Sequence, residues 1–384
     1  MKERKRIIAL VVVMMMVLGV MAACSGSNTG GGSTGTQQTP PAQTPSGGGD
    51  APDNTVYNLV FTSHDNPLTA QSSTIQEWVE IINAEADGRL VIEAHFGGTL
   101  AAPGDAIDFV VQGGADICWN TVSLNPNMFK YIDILAAFGE RLTSAELATY
   151  VLMGLVRECE PIANEYTSPG LKVLGVHSLG PTTLSGIGER ITSLSQLKGM
   201  SVQSIGKNAI AILNNVEAAA IGVTPADLYE NYSKNVCTAA MLESSLNDSQ
   251  KLYEMINYLC SFNYNTSTAF ILMNQQKFDS LPPDLQDLLD SKFEYLSTEI
   301  GKNVNNVVRT FVQTRIPEYN IDLYDAPQAM VDESNEQFRI VVEEPFRANC
   351  AAGGVDADEI IALIDRLIDE GRQIHGEDKD WFKQ

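Results

Sequence analysis

Residues 197–206 read Leu197-Lys198-Gly199-Met200-Ser201-Val202-Gln203-Ser204-Ile205-Gly206. Gly199 permits a tight entry, and Met200 and Val202 alternate as they do in a buried strand. Gly206 breaks the strand. Ile210, Leu213, Val216 and Ala220 then keep helical spacing over residues 207–221. The stretch therefore reads as turn, strand, glycine loop and helix. α/β proteins collect ligand groups at such junctions, because the free N–H groups of a helix start meet the end of a strand. Locally the same pattern also describes an ordinary strand–turn–helix connection, so the flanking chain has to decide.

Upstream, residues 56–61 alternate into a first strand that ends in a polar loop carrying His64, Asp65 and Asn66. Thr74-Ile75-Gln76-Glu77 has a capping-box pattern, and Ile75, Trp78, Val79 and Ile82 share one helical face ending at Gly88. Residues 90–96 predict a second strand and 106–112 a short helix. Residues 115–119 predict a third strand, with Trp119 and Asn120 at its end. This β-α-β-α-β order belongs to a mostly parallel sheet. Ser144 and Glu146 then open a helix running towards Tyr166, and residues 171–177 form a strand followed by a loop with Thr182 and Thr183.

Downstream, residues 225–231 read as a helical turn and 236–241 as a strand. Residues 253–262 and 268–274 are strand-rich, with Asn265 and Thr266 on the loop between them. A long helical period spans residues 281–312, opened by Pro282-Pro283, and helices are expected over 328–347 and 356–374.

The 384-residue chain is acidic, with a net charge of −23. That balance excludes nucleic acid as a partner and argues against electrostatic attachment to an anionic membrane. The six Cys residues form no C-x-x-C pair, and the five after Cys24 read as small buried apolar residues. His64, His95, His177 and His375 have no metal-ligand spacing, so neither a metal nor a cofactor is expected.

Residues 1–23 carry a basic start, an apolar run and small residues before Cys24, as in a bacterial lipoprotein signal whose Cys is lipidated. Residues 24–54 then form a Gly-, Ser-, Thr- and Pro-rich tether that cannot build a core. No later stretch is apolar enough to span a bilayer. The expected location is the extracytoplasmic face of the cell membrane, anchored by lipid.

Taken together, the chain resembles the solute-binding proteins of tripartite ATP-independent periplasmic (TRAP) transporters, the DctP family. The matching segments are Gly88-Arg89-Leu90 with Gly97-Gly98-Thr99-Leu100, Gln112-Gly113-Gly114-Ala115-Asp116-Ile117, residues 194–202, Ala226-Asp227-Leu228-Tyr229, Lys251-Leu252-Tyr253-Glu254 and Leu281-Pro282-Pro283-Asp284-Leu285-Gln286. No single match is specific; their order and spacing are. The resemblance implies a bilobed, periplasmic-binding-protein-like α/β fold (type II-like) with crossing strands and a long helix spine. The expected lobes are 55–178 plus 268–310, and 179–267 plus 311–384. It also implies a small-molecule ligand in the cleft, handed over to TRAP membrane subunits.

In the family, the strand after L-K-G ends in an Arg that clamps the ligand's carboxylate. In ungapped register that position is Gln203, followed by Ser204. The family's ligand-facing Glu and Asn of "V-D-G-Q-E-N-P" become Met241 and Leu242. Either the ligand lacks the usual carboxylate, or Lys207, Lys234 or Arg190 replaces the Arg. Two other function classes are open: a ligand-sensing lipoprotein with a membrane signalling partner, and a secreted hydrolase, although the chain carries no G-x-S-x-G.

Overall fold

The computed structural model describes residues 55–375. The signal-like segment, Cys24 and the tether lie outside the described residues. In chain order the elements are β1 (Tyr57–Ser63), α1 (Ala70–Glu85), β2 (Leu90–His95), α2 (Ala106–Val111), β3 (Ile117–Thr121), α3 (Ala145–Glu158), α4 (Glu160–Thr167) and β4 (Leu171–Gly186). There follow β5 (Ser201–Ser204), α5 (Lys207–Asn215), β6 (Ala219–Gly222), α6 (Leu228–Ser233), β7 (Ala239–Glu243), α7 (Ser245–Ser249), β8 (Tyr258–Cys260) and β9 (Asn265–Asn274). The chain closes with α8 (Gln275–Asp279), α9 (Pro283–Ser291), α10 (Phe293–Glu318), β10 (Asp322–Tyr324), α11 (Gln328–Phe338), α12 (Glu344–Gly353) and α13 (Ala357–His375).

The sheet runs β2-β1-β3-β9-β4-β7-β5-β6. Its two ends are parallel, β1 with β2 and β3, and β5 with β6 and β7. Its centre is antiparallel, which the sequence reading of a mostly parallel sheet did not anticipate. The cause is β4, one strand where a strand and a loop were expected. It pairs with β9 through Ser178 and again, after a register shift, at Pro181 and Thr182, and residues 182–186 pair with β7. Gly180 takes φ +83° at the shift, a conformation open to glycine, and Pro181 has no N–H to offer a ladder. β4 thus carries the chain from one lobe into the other.

α10 spans both lobes. Leu296, Ile300 and Val304 pack into the apolar cluster around β1, β2 and α1. Val308, Phe311, Val312 and Ile316 pack into the cluster under α6 and β7. Each such side chain contributes about 1.5–3 kcal/mol of burial. The resulting architecture is a bilobed α/β fold with a helical spine.

Several boundaries moved for local reasons. The cap of α1 is Thr69, whose side chain accepts from Ser72 N–H, while Thr74 lies inside the helix and donates back to Ala70 O at 2.9 Å. The helix after Ser144 breaks at extended Cys159, two residues before Pro161. α5 stops at Asn215, and residues expected to continue it form β6 beside β5, because Glu217 (φ 59°) turns the chain back to the sheet edge. The 281–312 helix divides at Lys292. The Cys residues at 118, 159, 237, 260 and 350 are buried free thiols.

Candidate functional site

A cleft of about 480 Å³ opens where strand ends of the two lobes face each other. One wall comes from the loop after β1 (His64, Asp65), the start of α1 (Gln71) and the end of β3 (Trp119, Thr121). The other comes from Ile205 after β5, residues 223–226 after β6, Glu243 at the end of β7, and Leu246 and Gln250 at α7. Strand ends converge here because β1, β3, β5, β6 and β7 all finish at this crevice, the place where open α/β sheets bind ligands.

Of the sequence-predicted residues, His64, Asp65, Asn66 and Trp119 line the cleft. Asn265 lines a recess of about 20 Å³ that shares Ser123 and Ile205 with it, and its buried Oδ1 has no partner. The others serve the scaffold. Gln203 is fully buried, donating from Nε2 to Leu228 O and accepting from Asn231 Nδ2, both at 3.2 Å. Ser204 Oγ donates to Met241 O at 2.8 Å. Asn120 binds Pro103 O and Thr121 N–H, both at 2.7 Å. Thr182 and Thr183 are strand residues; Thr183 shares a hydrogen bond with Ser244 at 3.0 Å, while Thr182 Oγ1 is buried without a partner. Met241 and Leu242 face the two apolar cores on opposite sides of β7.

Glu243 is the residue that sequence reasoning missed. The predicted strand ran over 236–241, whereas β7 is Ala239–Glu243. Shifted by two residues, the rule that singled out His64 to Asn66 at a strand end selects Glu243.

A sequence profile of the family described as bacterial extracellular solute-binding protein, family 7 (DctP), matches residues 61–346. The chain belongs to this family. Three solved family structures have a similar fold. A TRAP periplasmic solute-binding protein from Desulfovibrio salexigens has a TM-score of 0.73 at 19% identity, over 85% of this chain and 99% of that one. One from Rhodoferax ferrireducens, in complex with copurified benzoate, has 0.72 at 20%, over 84% and 100%. One from Bordetella bronchiseptica, with bound mandelate, has 0.73 at 19%, over 82% and 99%. An uncharacterized protein of Haemophilus influenzae is 22% identical over 305 residues, 78% of this chain and 88% of its own. These relatives of known structure are solute-binding proteins rather than enzymes, and no helix among the described residues is long and apolar enough to cross a membrane.

The charged groups of this cleft are acidic. No Lys or Arg lines it. Lys207 pairs with Asp133 at 2.8 Å, and Lys234 pairs with Glu230. Arg190 pairs with Asp322 at 3.6 Å and lies over the Tyr324 ring. All three are therefore committed elsewhere. Burial lowers the His64 imidazole to about 4, so it is neutral at pH 7. Two carboxylates remain. Burial raises Asp65 against the pull of its donors, Thr69 Oγ1 (2.6 Å), Gln71 Nε2 (2.7 Å), Ser72 Oγ (3.2 Å) and Asn66 N–H (2.9 Å). Burial also raises Glu243, the negative charge of Asp65 adds to this, and the Ser267 hydroxyl at 2.7 Å partly offsets it. Trp119 spends its indole N–H on His177 Nε2 at 2.8 Å and sets its ring 5.1 Å from that of His64.

Proposed function

We propose that this protein is an extracytoplasmic receptor, anchored through Cys24, that binds a small organic molecule lacking a carboxylate and delivers it to TRAP membrane subunits. The observation that carries the ligand class is the absence of any Lys or Arg from a cleft that already holds Asp65 and Glu243. A ligand carboxylate there would be buried unpaired beside like charges, at a cost of several kcal/mol. The benzoate and mandelate of the solved relatives are such carboxylates, so their ligands do not transfer to this chain.

The test is mass spectrometry of small molecules released from the purified protein by denaturation. A retained molecule without a carboxylate is expected; a retained carboxylic acid overturns the ligand class. Uptake into vesicles bearing the TRAP membrane subunits separates transport from sensing. Transport predicts uptake that depends on this protein, and uptake unchanged by its removal contradicts it.

A further inference from the structure

Glu243 is 8% exposed, lines the cleft, and has no cation among the influences on its carboxyl. A single side-chain donor meets it, Ser267 Oγ at 2.7 Å. Asp65 differs: both of its oxygens are engaged, Oδ1 by Asn66 N–H and Oδ2 by Thr69, Gln71 and Ser72. The Asp65 oxygens are thus taken up by the scaffold, while Glu243 keeps acceptor capacity for a ligand. A second polar atom is also uncommitted, since His64 Nδ1 is buried without a partner. Trp119, Leu179, Ile205 and Leu246 supply an apolar and aromatic surface beside these groups.

Resting on the receptor reading above, we infer that the ligand carries a cationic nitrogen, an ammonium or amidinium, that donates hydrogen bonds to Glu243 and lays its apolar body against Trp119 and Leu246. Charge-assisted hydrogen bonds to a carboxylate are the strong ones in a site that excludes water. The field of Asp65 adds to the attraction, and an aromatic face tolerates a cation where it would repel an anion. The titratable groups lining the cleft are His64, Asp65 and Glu243; Asp133, in the adjoining recess, is paired with Lys207. Both carboxyls hold protons more tightly in the free protein than ordinary carboxyls do. A bound cation favours their ionised forms, so binding releases protons and the affinity falls as pH falls.

The experiment is isothermal titration of the intact protein with benzylamine and tyramine, each against its neutral hydroxyl isostere, and with benzoate. At about pH 8 the amines are expected to bind at least ~10-fold tighter than their isosteres. At about pH 5.5 that preference shrinks. Glu243→Gln removes it, while Ser267→Ala, which keeps the charge, retains it. Isosteres binding as well as the amines, or no amine binding, overturns the cationic ligand and leaves the receptor reading standing. A preference unchanged by Glu243→Gln, or independent of pH, also overturns it. Benzoate as the one tight binder overturns both readings.

Discussion

Gln203 occupies the position where the family resemblance places an Arg, and its amide is consumed by α6. Replacing it with Leu keeps the volume but leaves the buried Leu228 O and the half-buried Asn231 Nδ2 without this partner. Gln203→Leu should therefore lower stability by about 1–3 kcal/mol in urea unfolding and leave ligand affinity unchanged. His177 makes a second prediction. Burial lowers its imidazole from 6.5 to about 4, against the pull of Ser178 O. Its Nε2 accepts the Trp119 N–H, so Nδ1 carries the proton and faces Ser178 O at 3.1 Å. The unfolded chain binds this proton more tightly, so the contribution is present above about pH 6.5 and is lost as pH falls towards 4. The lowering corresponds to ~3 kcal/mol. Melting followed from pH 7 to 4 should fall more steeply for the native protein than for His177→Gln. Asp65 and Glu243 act in the opposite sense: their raised carboxyls bind protons more tightly when folded, so their cost to stability eases as pH falls. The cleft residues at 64 to 66 and at 119 were legible because they end strands with clear alternation. Glu243 was hidden by a two-residue error in a strand end; each strand residue advances about 3.3 Å, so the expected strand stopped short of the cleft.

At the scale of elements, the parallel β1-β2-β3 flank, the α1 face and the long helical period over 281–312 were readable from apolar periodicity. The β4 crossing was not. Gly180-Pro181 carries turn chemistry, and only pairing with two different partners, β9 and then β7, holds the strand extended through it. β6 was hidden likewise, because edge pairing with β5 overrode a helical spacing of apolar residues. Gly139 supplies the element-scale prediction. A Cβ there would stand 2.8 Å from Asn263 O and 2.9 Å from Asn265 N, backbone atoms where the chain enters β9. Gly139→Ala should cost about 1–3 kcal/mol in denaturant unfolding, because backbone cannot yield as a side-chain tip can.

For the whole molecule, a bilobed fold with one continuous sheet and a spine shared by both lobes places five strand ends around a single cleft. Family membership accounts for that architecture, while the acidic lining of the cleft is the basis of the proposed ligand class. The net charge of −23 reinforces the same preference at long range, drawing cations and repelling anions at low ionic strength. The most direct test is the melting temperature of the purified protein with matched benzoate, benzamide and benzylamine, since a ligand of the native state raises it by mass action. The expected result is a rise with benzylamine, a smaller one with benzamide and none with benzoate. A rise with benzoate alone would contradict the charge assignment of the cleft and show that a cation outside its lining replaces the missing Arg.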